Sequence, residues 1–234
     1  MVFENNSLYF FNKSDGVIKK QIPTEEVSLK NNYINSMALN KDGLFYLNTY
    51  GSLYSVNKNN FRIKWFINLN KTVDLNPSNL FYSNPVVIYK KRIIVSTDPD
   101  LYIIDVDTGS TTRKISISSI LKPIVSGNNI FLITKDNLLV CINLISGNIE
   151  YSLNISEEIG EFLETDSKPI IIKSLFLVNN NLFVFLNNSY LVKFNSKGKI
   201  YNINKLPEKI GTLPIFINES ILYLNRSNKL SVIN

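Results

Sequence analysis

The chain has 234 residues, with 25 lysines and arginines against 19 acidic residues, one cysteine and no histidine. An internal disulfide is excluded, and acyl transfer or zinc hydrolysis would lack the histidine they ordinarily use. The net charge of +6 is scattered over stretches such as Lys19-Lys20 and Lys90-Lys91-Arg92. With no run of five or six like charges, it reads as solvated turns rather than a nucleic-acid face.

Alanine occurs once, at Ala38, beside abundant Ile, Leu, Val, Phe and Tyr, a composition that favours strands over helices. One short phrase recurs six times, a leucine followed by three residues of which the last is apolar, then Asp or Asn. The copies are Leu8–Asn12, Leu53–Asn57, Leu101–Asp105, Leu139–Asn143, Leu191–Asn195 and Leu230–Asn234. A self-similar period of ~40 residues marks a repeat architecture in which each unit is a packing module.

In chain order, the first unit is partial, spanning 7–22, with strands at Leu8–Asn12 and Val17–Ile22 around Asp15-Gly16. Full units follow at about 34–67, 82–117, 121–153 and 168–204, and a second partial unit spans 212–234. The unit at 82–117 is the clearest. Ser83–Ile88 enters through Pro85, Lys90-Lys91-Arg92 turns into Ile93–Thr97, and Asp98-Pro99-Asp100 turns into Leu101–Asp105. Asp107-Thr108-Gly109 then leads to Thr112–Ile117. Four short strands joined by hairpin turns make one antiparallel sheet of propeller-blade size. Pro85 to Pro123, Asp105 to Asn143 and Gly109 to Gly147 are each 38 residues apart.

The fold class is therefore all-β, a single β-propeller domain over 1–234 with about five blades, four full and two partial. The N-terminal hairpin and the C-terminal unit both carry the Asp/Asn strand, one strand more than ring closure needs. That surplus reads as a larger ring whose beginning is absent. Two insertions break the period. Residues 68–80 are polar, and 154–167 contain Ser156-Glu157-Glu158, which resembles a capped acidic helical turn. In that helix Ile159, Phe162 and Leu163 would share a face, and the segment either docks a partner or covers a blade end.

The strand–Asp/Asn–turn–Gly–strand phrase, with an aromatic four residues after the glycine, resembles the pyrroloquinoline quinone (PQQ)-type propeller repeat. The best matches are Asp105–Gly109 and Asn143–Gly147, the second followed by Tyr151. Trp65 keeps the family's blade-docking tryptophan, Phe61 stands where glycine is expected, and Lys20 and Arg113 replace the tryptophan elsewhere. The resemblance covers nearly the whole chain. Quinoprotein dehydrogenases of this family hold PQQ over calcium beside an adjacent-cysteine disulfide, which this chain cannot form. The non-catalytic, BamB-like branch supports β-barrel assembly at the outer membrane without a cofactor.

That resemblance implies a non-enzymatic scaffold for protein partners, such as the barrel-assembly machinery, with no cofactor, metal, nucleic acid or transmembrane segment. It implies the periplasmic side of the outer membrane if a signal and lipid anchor precede Met1, and the cytoplasm otherwise. The alternatives are a PQQ-dependent dehydrogenase relative and a carbohydrate-binding propeller with Tyr50, Tyr82 and Tyr89 as platforms. The carboxylate pairs Glu25-Glu26, Glu157-Glu158 and Asp98/Asp100 read as turn residues, and Cys141 as a small buried hydrophobe. No catalytic, cofactor or metal residue is assigned.

Overall fold

The computed structural model describes residues 6–25, 36–41, 43–70 and 81–233. The chain divides into two compact units, 1–123 and 124–234. In the first, β1 (Leu8–Phe11) and β2 (Ile18–Ile22) form an antiparallel hairpin. Next come β3 (Ser36–Leu39), β4 (Leu44–Leu47), β5 (Ser52–Val56) and β6 (Ile63–Asn68), then β7 (Val87–Tyr89), β8 (Arg92–Ser96), β9 (Leu101–Asp105) and β10 (Thr111–Ile115). Each set of four pairs in sequence order as an antiparallel meander.

The second unit opens with β11 (Ile124–Ser126), β12 (Asn129–Ile133), β13 (Leu138–Asn143) and β14 (Ile149–Asn154). The helix α1 (Ile155–Leu163) follows directly. A further meander comprises β15 (Ile172–Val178), β16 (Asn181–Leu186), β17 (Tyr190–Asn195) and β18 (Ile200–Lys205). The last sheet has three strands, β19 (Ile215–Ile217), β20 (Ser220–Leu224) and β21 (Leu230–Ile233).

Within a sheet, burial follows strand position. Every residue of β5 is buried, as are four of the five in β9, whereas β6 and β10 are mostly exposed or half-buried. A strand covered on both faces needs apolar residues throughout, so the repeated phrase reads as a continuous run rather than an alternation. In the first unit, Leu8 and Ile22 of the hairpin pack on Tyr46, Tyr54 and Val56. Phe45, Leu47 and Leu53 in turn meet Val95, Tyr102 and Ile104 of the next sheet. In the second, Phe185 and Leu191 meet Ile221 and Tyr223.

The Asp/Asn closing each phrase is a turn device. Asp105 Oδ1 accepts the backbone N–H groups of Asp107 and Thr108, and Asn143 Oδ1 those of Ile145 and Ser146. Asn57 and Asn195 make the same side-chain turn. In all four the N–H four or three residues on closes back to the Asp/Asn carbonyl, from Phe61, Gly109, Gly147 and Gly198. Asx turns of this kind explain why Asp and Asn alternate freely at one position, since either oxygen accepts equally well.

Three expectations need correction. The first strand of the 82–117 unit is only Val87–Tyr89, with Ser83 joined to Thr97 by a single bridge. There Val86 N–H donates to Ser36 Oγ of the preceding sheet, at 2.6 Å, instead of to a ladder carbonyl. The first polar insertion begins later than residue 68. Strand β6 runs through Asn68, and Leu69 is buried in the core, while residues 71–80 lie outside the described residues. In α1 the cap is Asn154, not a serine two residues on, and the buried residues are Ile155 and Gly160. Phe162 and Leu163 are exposed.

Candidate protein-binding surface

The third residue of each phrase sets a register position on the fourth strand. Ser55 lies opposite Trp65, Cys141 opposite Tyr151, and Lys193 opposite Asn202. Trp65 of β6 reaches the next sheet and donates its Nε1–H to the Val106 carbonyl at 3.1 Å. Gly109 makes this possible. Its φ is +74°, and a Cβ there would sit 2.6 Å from the indole ring, so both backbone conformation and close approach require glycine. In the second unit Tyr151 donates to the Ser196 carbonyl at 3.2 Å, over Gly198. Lys20 and Arg113, two of the departures from an aromatic, are exposed. Phe61, at the glycine position, holds a left-handed φ of +57°, and its ring packs against Phe10 with centroids 4.5 Å apart and the planes tilted by 40°.

The interface between the β15–β18 sheet and the β19–β21 sheet is different. Asn202 stands where Trp65 and Tyr151 stand, and the Oδ1 atoms of Asn202 and Asn204 are buried without a hydrogen-bond partner. Between the sheets lies a cavity of about 640 Å³, walled by Phe183, Leu206, Phe216, Ile221 and Ile233, with Asn204 and Lys193 on its polar side. Among the described residues, no strand pairs with the second edge of β21. Its Leu230 and Val232 are 63% and 53% exposed, whereas the residues of β9 at the same register are fully buried.

Ser55 Oγ and Ser174 Oγ are also buried without a hydrogen-bond partner, whereas several other polar groups are satisfied internally. Glu25 accepts from Ser52 Oγ at 2.6 Å, Tyr54 OH at 2.7 Å and Asn48 Nδ2 at 2.8 Å. Burial alone would raise its carboxyl pKa, but these donors outweigh it and hold the group below the usual range. Burial pushes the Tyr46 and Tyr54 hydroxyls up, with the Glu25 charge adding to the effect. Glu26, its sequence neighbour, lies outside the described residues. Asp100 is buried in its turn and pairs with Lys114 at 2.8 Å. Glu157 accepts from the helix cap Asn154. The basic turn is likewise engaged, Lys91 with Asp107 and Arg92 with Asp105.

Cys141 is buried, and burial with the nearby Glu150 charge pushes its thiol up to about 11. The thiol therefore stays protonated at neutral pH. Tyr82 precedes the Ser83–Thr97 bridge, whereas Tyr89 ends β7 at the opposite, Lys90-Lys91 end of the same sheet. Tyr50 lies in the β4–β5 turn, near the Tyr82 end, where the Phe81 N–H donates to the Thr49 carbonyl. The three tyrosines are thus not brought onto one platform. Among the described residues no three His, Cys, Asp or Glu side chains cluster as a metal would require, and no helix is long and apolar enough to cross a membrane.

Four-stranded meanders stacked face to face define a β-propeller. No protein-family model matches the chain, and no curated protein matches it in sequence. Solved structures do match. The chain is similar to BamB from Moraxella catarrhalis at 11% identity and a TM-score of 0.53, over 98% of this chain and 79% of that one. It is similar to BBS1N, solved in complex with ARL6DN, at 13% identity and a TM-score of 0.62, over 97% of this chain and 70% of that one. The computationally designed Ika8 protein matches at 11% identity and a TM-score of 0.64, over 84% of this chain and 56% of that one. At these identities the likeness establishes the fold.

Proposed function

We propose that the chain is a non-enzymatic protein-binding scaffold. The observation that carries this reading is α1, an insertion into the repeat that holds Phe162 and Leu163 exposed. Apolar side chains held out on an element inserted between the blades of a rigid scaffold are suited to meeting a partner protein.

The finer reading is a BamB-like role in outer-membrane β-barrel assembly, on the periplasmic side of that membrane. Support comes from the PQQ-type phrase with its Trp65–Gly109 docking pair and from the structural likeness to BamB. The test is binding of this chain to purified outer-membrane barrel-assembly machinery depleted of its own BamB. Saturable binding that Leu163→Lys weakens by about tenfold or more is expected if α1 is the contact. Absence of binding would remove the BamB-like role. Binding indifferent to Leu163→Lys would move the contact away from α1.

A further inference from the structure

Helix α1 is an acidic element in a basic chain. Residues 154–167 hold five of the chain's 19 acidic residues and none of its 25 lysines and arginines. Lysine returns at Lys168, yet among the described residues no lysine or arginine lies within salt-bridge distance of these five carboxylates. The crowding shows at Glu158, where burial first, and then the charges of Glu161 and Glu157, raise the carboxyl pKa. Helix stability alone would choose otherwise. The C-terminal end of a helix favours cations, whereas the last turn of α1 has no basic residue and Glu164 is its C-cap.

Geometry sets these charges beside the exposed apolar pair. Ile159, Phe162 and Leu163, at i, i+3 and i+4, share one stripe of the helix, and Glu158 stands one turn before Phe162. The stripe starts inside the protein at buried Ile155 and surfaces at Phe162 and Leu163, which are 45% and 49% exposed. Glu157, Glu161 and Glu164 form a second ridge, at i, i+4 and i+7. Beyond the helix the chain folds back on Gly160, where a Cβ would sit 2.9 Å from the Thr165 carbonyl oxygen. The Thr165 N–H donates to the Gly160 carbonyl at 2.9 Å and fixes this return. The fold-back leaves an open hollow of about 790 Å³, on which Glu157, Glu161, Glu164 and Asp166 all border.

An occupant of this surface must bury the apolar pair and bring positive charge to its flanks. A nucleic acid, an anionic membrane or an acidic protein surface would be repelled. We propose that the last turn of α1 docks a basic amphipathic segment of the partner protein, its apolar face on Phe162 and Leu163 and its lysines or arginines on Glu158, Glu161 and Glu164. This rests on the reading of α1 as the binding surface above. The probe is a fluorescein-labelled, end-blocked dodecapeptide, Leu-Lys-Lys-Leu-Leu-Lys-Lys-Leu-Leu-Lys-Lys-Leu, titrated with the intact chain and followed by fluorescence anisotropy. Companion peptides carry Glu in place of every Lys, or Ser in place of every Leu.

The basic amphipathic peptide is expected to bind at least about tenfold more tightly than either companion. Its affinity should fall severalfold as salt is raised from about 0.05 M to about 0.3 M. Phe162→Ser combined with Leu163→Ser should bring it down to the level of the leucine-free peptide. Glu158→Lys, Glu161→Lys and Glu164→Lys together should reverse the preference toward the acidic peptide, a gain that also reports that the variant is folded. Equal binding of the basic and acidic amphipathic peptides, still lost in the double serine variant, would overturn the basic segment and leave α1 as the contact. Binding of the basic peptide indifferent to both sets of substitutions would overturn the proposal, as would no binding of any peptide. In either case the Leu163→Lys test with the assembly machinery decides the α1 reading separately. Self-association of the free chain, seen by sedimentation and lost in the double serine variant, would overturn the proposal in favour of a second copy as the occupant.

Discussion

Two interfaces between sheets, one in each unit, are built from the same register position and end differently. At Trp65 the indole fills the space between sheets, its N–H satisfied by Val106 and its ring laid on Gly109. At Asn202 the side chain is too small to do so, its Oδ1 is buried without a hydrogen-bond partner, and a cavity of about 640 Å³ lies between the same two sheets. The repeat backbone is common to both, down to the Asx turn that launches the fourth strand. A docking aromatic closes an interface, whereas a small amide at the same register leaves a buried oxygen unmet.

The largest effect should come from breaking the closed interface. Trp65→Ala removes a large, partly buried ring and its hydrogen bond, and should cost about 3 kcal/mol of stability, read as a lower urea midpoint. Gly109→Ala should cost about 2 kcal/mol, because the new Cβ meets the indole at a positive φ. Asn204→Leu sharpens the contrast in the other direction. Replacing an unpartnered buried amide with an apolar side chain should stabilise the chain by up to about 1 kcal/mol.

A smaller, pH-dependent effect lies at Glu25. Its carboxyl is more acidic in the folded chain than in the unfolded one, so it stabilises the fold above the ordinary glutamate range near ~4.3. That contribution is lost as pH falls below this range and through the folded-state value. Urea midpoints of wild type and Glu25→Gln should therefore differ at pH 6 and converge as pH is lowered toward 3. Glu25 is partly open to solvent, so screening keeps this difference modest.

Much of the fold was legible because it is written locally and repeatedly. The phrase Leu101–Asp105 carries both a buried strand and the acceptor for its own turn, within eight residues. Where the signal was tertiary, the sequence misled. The strand at Val87 starts late because Val86 bonds to Ser36, 50 residues earlier. Phe61 breaks the glycine pattern yet keeps the left-handed turn, beside a tilted ring contact with Phe10 that no local rule reveals. The helix after β14 is capped by the last residue of that strand, Asn154, so its start is hidden inside a strand pattern. The candidate surface was the least legible part. Phe162 and Leu163 stand at helical spacing in the sequence, but that they stay exposed while Ile155 and Gly160 are buried is set by tertiary packing that no motif records.

Amide hydrogen exchange across the wild type and Trp65→Ala tests the central claim most directly. The account predicts faster exchange in the variant around Val106 and Gly109, where the indole docks, with β17 and β18 around Asn202 unchanged. Exchange around Val106 as slow as in the wild type would contradict it.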